Sequence, residues 1–60
     1  MQKIEIKTAD EARSYAIEWQ QWASEQDLSI LELTEWQDYF TLLAEQFPEL
    51  KEEFIENAII

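Results

Sequence analysis

Apolar and polar positions alternate at the start of the chain and then change period. Residues 2–7 place Ile4 and Ile6 on one side and Lys3, Glu5 and Lys7 on the other, the two-residue repeat of a short extended strand. From residue 9 the spacing lengthens to three and four. Ala12, Tyr15, Ala16, Trp19, Trp22 and Ala23 fall on one face of a helix predicted over 9–26. Thr8 and Glu11 have the spacing of a capping box at its start, and Asp10 and Glu11 suit the positive helix N-terminus. Ser29 and Glu32 repeat that signal ahead of a second helix, predicted over 30–47, whose stripe is Leu33, Trp36, Phe40, Leu43 and Phe47, widened by Tyr39. A connection of about three residues makes the two helices antiparallel neighbours.

Pro48 ends the second helix and suits the first position of a third, predicted over 48–57 with Leu50, Phe54 and Ile55 inward and Asn57 as its C-terminal cap. The apolar tail Ala58-Ile59-Ile60 is expected to dock, either as a strand beside Ile4–Ile6 or by packing on the helices. The expected fold is therefore mainly α: one three-helix domain, an antiparallel hairpin plus a short third helix, with an N-terminal extended segment. Glu18-Trp19-Gln20-Gln21-Trp22 and Glu35-Trp36-Gln37-Asp38-Tyr39 echo one another on the two facing helices. The echo reads as a ladder of stacked rings or, alternatively, as a pair of aromatic clamps.

Composition sharpens this picture. Sixty residues bury too little surface to stabilise a fold easily, and the chain has no Cys and no His. Disulfides and thiolate or imidazole metal sites are excluded, which leaves dense packing or self-association. Three Trp, two Tyr and three Phe supply the packing, with one of Trp22, Trp36 or Tyr39 expected at the surface. The absence of Gly argues against tight hairpins and phosphate-cradling loops. No apolar leader or membrane-length apolar run is present, so the expected address is the cytoplasm.

The chemistry of catalysis finds little footing. The usual general bases and thiol nucleophiles are missing, and no EF-hand pattern occurs. Glu32 with Glu35, or Glu49 with Glu52 and Glu53, could on paper bind Mg²⁺ or act as acid and base, but so small a domain has little room for a cleft around them. The chain is expected not to be an enzyme and to need no cofactor.

Charge is the most one-sided feature. Fourteen acidic residues against four basic ones give a net charge of -10. Such a field repels nucleic acid and anionic membranes and attracts a basic protein surface. The helices carry Glu11, Glu18 and Glu25, then Glu35, Asp38 and Glu45, opposite their apolar stripes, with Leu42 inside the second row. Glu49, Glu52, Glu53 and Glu56 crowd the third helix. Like charges three and four residues apart cost a helix roughly 0.2–0.5 kcal/mol per pair, and almost no Lys or Arg is placed to offset them. Their spacing of about 5–6 Å is comparable to that of phosphates along a duplex. Solubility alone would not need so one-sided a choice.

The runs Glu11-Ala12-Arg13, Ala16-Ile17-Glu18-Trp19-Gln20-Gln21-Trp22, Leu28-Ser29 and Glu35-Trp36-Gln37-Asp38-Tyr39-Phe40 give a chain that resembles, in style and over most of its length, the short acidic proteins encoded in phages and prophages of Gram-positive bacteria. The resemblance transfers no individual residue. It implies an inhibitor of host machinery such as a nuclease, restriction enzyme or CRISPR effector, in some cases by imitation of DNA. The resulting expectation is an acidic face formed by Glu18, Glu25, Glu35, Asp38 and Glu45, with Trp22 and Leu42 as apolar anchors, engaging the basic, nucleic-acid-binding surface of a partner protein. The alternative is a structural module that forms a homodimer through the Ile4–Ile6 edge or the aromatic stripe.

Overall fold

A computed structural model describes residues 1–60 and contains three α-helices and no strand. Helix α1 spans Ala9–Ser24, α2 spans Ile30–Gln46, and a 3-10 turn at Pro48–Leu50 leads into α3 at Lys51–Glu56. The Thr8 hydroxyl accepts from the Glu11 amide at 3.1 Å, capping α1. Ser29 and Glu32 form the complete reciprocal box at the start of α2.

The ends differ from the sequence expectation for identifiable reasons. Helix α1 stops two residues short of Gln26, because the Glu25 and Gln26 amides bond to Trp22 and Ala23, tightening the last turn to three-residue spacing. No cation offsets the negative helix end there, and Glu25 is acidic. Helix α2 stops at Gln46 because Phe47 precedes Pro48, and a residue before proline is pushed out of helical geometry. Phe47 takes φ -124 and ψ 80. The predicted single helix over 48–57 is consequently split into a 3-10 turn and a six-residue helix.

Asn57 caps α3, and the chain then closes in a Schellman motif. The Ile59 amide donates to the Phe54 carbonyl at 2.8 Å and the Ala58 amide to the Ile55 carbonyl at 3.1 Å. Ala58 sits at φ 59, a left-handed position normally given to glycine. This reversal turns Ile59 into the core, where it is buried along with Phe54.

The core is wholly apolar and centres on Phe40. Rings from α1 and α2 meet in antiparallel order along a seam: Tyr15 against Tyr39 and Phe40, Trp19 against Phe40 and Trp36, Trp22 against Trp36. The Trp19–Phe40 pair is edge-on with centroids 5.0 Å apart. Phe54 closes on Phe40 from α3, and Leu50 packs fully buried beside it. The two long helices scarcely approach within 8 Å between backbones, so large side chains span the gap between them. Leu33 and Ile55, expected inward, are 41% and 54% exposed, because each lies beyond the reach of the ring seam.

Residues 1–7 form an extended strap, not a strand, and make no backbone–backbone hydrogen bond. The strap crosses the α1–α2 groove on one face of the hairpin, while α3 and Ile59–Ile60 cover the opposite face. The termini therefore cannot pair, and both bury isoleucines against helices instead.

Two substitutions should separate these features. Ala58→Gly is expected to raise stability by up to about 1 kcal/mol in chemical denaturation, since it relieves a left-handed alanine. Phe40→Ala is expected to remove about 3–5 kcal/mol, enough to abolish the cooperative transition; a mild loss would contradict its central place.

Candidate protein-interaction surface

All five acidic residues singled out by the sequence are exposed: Glu18 and Glu25 on and just beyond α1, Glu35, Asp38 and Glu45 on α2. They do not form one face. At 3.6 residues per turn, Glu18 and Glu25 lie away from Ala12 and Ala16 but on the Tyr15 side of α1, where Glu18 lines the strap groove with Ile4 and Ile6, while Asp38 and Glu45 lie away from Phe40 and Leu43. Those buried sides face each other across the seam. The two acidic rows therefore take different sides of a body whose Cα extents are 29 × 17 × 16 Å, the α1 row bordering the strap groove and the α2 row facing outward. The acidic residues thus divide between two helices joined core-to-core, with Glu18 and Glu25 on and beyond α1 and Glu35, Asp38 and Glu45 on α2.

The row on α2 is longer than the sequence reading allowed. Leu31, Glu35, Asp38, Leu42 and Glu45 follow at steps of four, three, four and three, which aligns them along one side of the helix. Leu31 is 69% and Leu42 64% exposed, about 16 Å apart along the axis. Leu31 falls two residues off the inward stripe that begins at Leu33, which is the sequence signal of its outward place. Ile30 beside it is 84% exposed. Trp22 is half-buried against Trp36, with the ring centroids 5.9 Å apart. Tyr39 is half-buried as well, whereas Trp36 is buried.

Neutralisation of the acid is confined to one place. Arg13 donates through Nε to the Glu53 carboxylate at 2.9 Å and through Nη1 to Asp10 at 3.1 Å, and these are the only ion pairs in the chain. The hydrogen bond and charge of Glu53 hold the Arg13 guanidinium more firmly protonated. The pair ties α1 to α3 and occupies Glu53, while Glu32 is spent on capping α2. Glu18, Glu25, Glu35, Asp38 and Glu45 have no cationic partner.

The strap contributes features that the sequence did not disclose. The Tyr15 hydroxyl donates to the Gln2 carbonyl, the Tyr39 hydroxyl to the Ile4 carbonyl at 2.7 Å, and Gln46 Nε2 to the Ile6 carbonyl at 3.4 Å. Lys3 Nζ stands 4.7 Å from the centroid of the Trp36 ring, a cation–π contact. Burial pushes the Tyr15 phenol up, helped by the nearby charges of Tyr39 and Glu18. Burial pushes the Tyr39 phenol up too, offset by its bond to Ile4. Trp19 Nε1 is buried in the seam without a hydrogen-bond partner, and none of the three surface clefts is lined by Trp19. No helix is long and apolar enough to cross a membrane.

No known family model, curated protein or solved structure matches this chain.

The tyrosine environments carry a pH dependence. Both folded-state phenols titrate above their unfolded value of about 10. Above that pH the unfolded chain has lost protons that the folded chain retains, so unfolding is favoured. The tyrosine contribution is fully present below about pH 10 and is lost as pH rises through the folded values. Denaturation series from pH 8 to 11.5 are expected to show this fall, and Tyr39→Phe should reduce its size; an unchanged slope in that variant would contradict the assignment.

Proposed function

We propose that this protein is a small acidic binding module that inhibits a partner by occupying its basic, nucleic-acid-binding cleft. The observation that supports the reading is the pair of unneutralised carboxylate rows on two sides of a narrow helical body, one beside the strap groove and one on the outer side of α2. A flat basic patch meets one row only. A cleft that normally encloses a polyanion meets both, with Lys and Arg on either wall. Leu31 and Leu42 supply apolar contacts within the α2 row, where a partner excludes water. Charge then sets the approach rate and the leucines set the residence time. The phage-type resemblance and the anti-CRISPR class of inhibitor accord with this chemistry but rest on sequence style.

A self-associating module is the competing reading, favoured by the exposed cluster of Ile30, Leu31 and Leu33 at the start of α2. The charge of -10 on every copy opposes it. Sedimentation at high micromolar concentration separates the two, since a monomer rules out the homodimer.

The binding test is affinity capture from a Gram-positive bacterial lysate at low and high salt, with mass spectrometry and DNA competition on what is retained. The expected partner is a nucleic-acid-binding protein released by salt and by DNA. Against that partner, Glu35→Gln/Asp38→Asn/Glu45→Gln should mainly slow association and flatten the salt dependence, and Leu31→Ser/Leu42→Ser should mainly speed dissociation. Binding indifferent to salt would sink the proposal.

A further inference from the structure

The groove beneath the strap has the parts of a peptide-recognition site. Its donors address alternate main-chain carbonyls, those of residues 2, 4 and 6, and come from side chains of both long helices. Side chains at alternate positions share a direction in an extended chain, and so do carbonyls, which is why three donors in a row can hold such a segment. Reading the main chain leaves identity to two further contacts. Lys3 lies over Trp36, and Ile6, 3% exposed, is the only strap residue in the core. Asp10, Glu11 and Glu18 line the cleft that Ile4 and Ile6 border, so its wall is acidic.

The strap is held shallowly by comparison with the rest. Met1 and Ile4 are 40% and 51% exposed, and no backbone ladder joins the strap to the helices. The groove walls are fixed without it, because the seam of Tyr15, Trp19, Trp36 and Phe40 closes from α1 and α2 alone. An emptied groove would present two tyrosine hydroxyls, an indole face and carboxylates, which is the complement of an extended chain bearing a cation.

We propose that the α1–α2 groove is a docking site for an extended segment of a partner protein, with Lys or Arg three residues ahead of an aliphatic side chain, and that residues 2–6 occupy it as an exchangeable internal ligand. The partner segment places its cation on Trp36 and its aliphatic residue where Ile6 sits, and its carbonyls take up the hydroxyls of Tyr15 and Tyr39. This site shares Glu18 with the α1 acidic row, but its hydroxyls and indole face belong to neither row, and it stands whether or not those rows bind a basic cleft.

The probe is the capped peptide Gln-Lys-Ile-Glu-Ile-Lys, residues 2–7, titrated into full-length protein and followed by NMR at the Trp36 indole and Tyr39 ring. Ile6→Ala loosens the internal ligand, and Lys3→Ala does so without touching the core. Both variants are expected to bind the peptide saturably, and roughly tenfold more tightly than the unaltered protein, whose own strap competes at high effective concentration. Replacing the first lysine of the peptide by glutamate should weaken binding at least roughly two- to fivefold, as loss of a cation–π contact requires. Absence of saturable shifts in both variants overturns the proposal. Equal binding of a scrambled peptide overturns it too, since charge alone would then explain the effect. Collapse of the helical signal in Ile6→Ala would place the strap within the core and overturn exchangeability.

Discussion

Everything in this molecule hangs on Phe40. Its ring touches Tyr15, Trp19, Trp36, Tyr39 and Phe54, and it is fully buried. A 60-residue chain without cysteine or histidine has no disulfide and no thiolate or imidazole metal site to fall back on. Aromatic rings solve this by burying a large area per residue with few rotatable bonds, and by fitting edge to face. Once the rings set the distance between α1 and α2, the groove that receives the strap and the opposite groove that receives α3 both have their width fixed. The same packing leaves the α2 carboxylate row facing outward and sets Glu18 of α1 at the rim of the strap groove.

Local signals were legible in the sequence wherever one residue controls one hydrogen bond. Ser29 with Glu32 marked the start of α2, Thr8 marked α1, and Pro48 marked the break after Phe47. Periodicity identified most of the buried stripe, from Ala12 to Trp19 and from Trp36 to Leu43. It failed at Leu33 and Ile55, since a period reports direction around a helix and not whether a neighbour is there to cover it. The strap was the least legible part. Alternation of Ile4 and Ile6 implied a strand, but a strand needs a backbone partner, and here the carbonyls are met by tyrosine and glutamine side chains remote in sequence. No pattern within residues 1–7 encodes those donors.

For the surface, composition disclosed the sign and excess of charge but not its layout. Glu18 and Glu35 look equivalent along the sequence echo, yet they belong to separate rows, and only Glu18 lines the cleft that Ile4 and Ile6 border. The arginine is informative for the opposite reason. Arg13 is the single cation spent on carboxylates, and it is spent holding α3 to α1 and not on dispersing the outer charge. The remaining basic side chain with a defined role, Lys3, is given to an aromatic face.

Those unneutralised rows make the free protein a compact polyelectrolyte. Its folded form concentrates negative charge that the unfolded chain spreads over a larger volume, so folding draws in a counterion atmosphere. Dissolved cations are in this sense a missing structural component: the fold recovers from solution what its own sequence, with one arginine and three lysines, withholds. Dilution of salt should therefore erode this molecule from within, in helices whose packing against the rings is otherwise undisturbed.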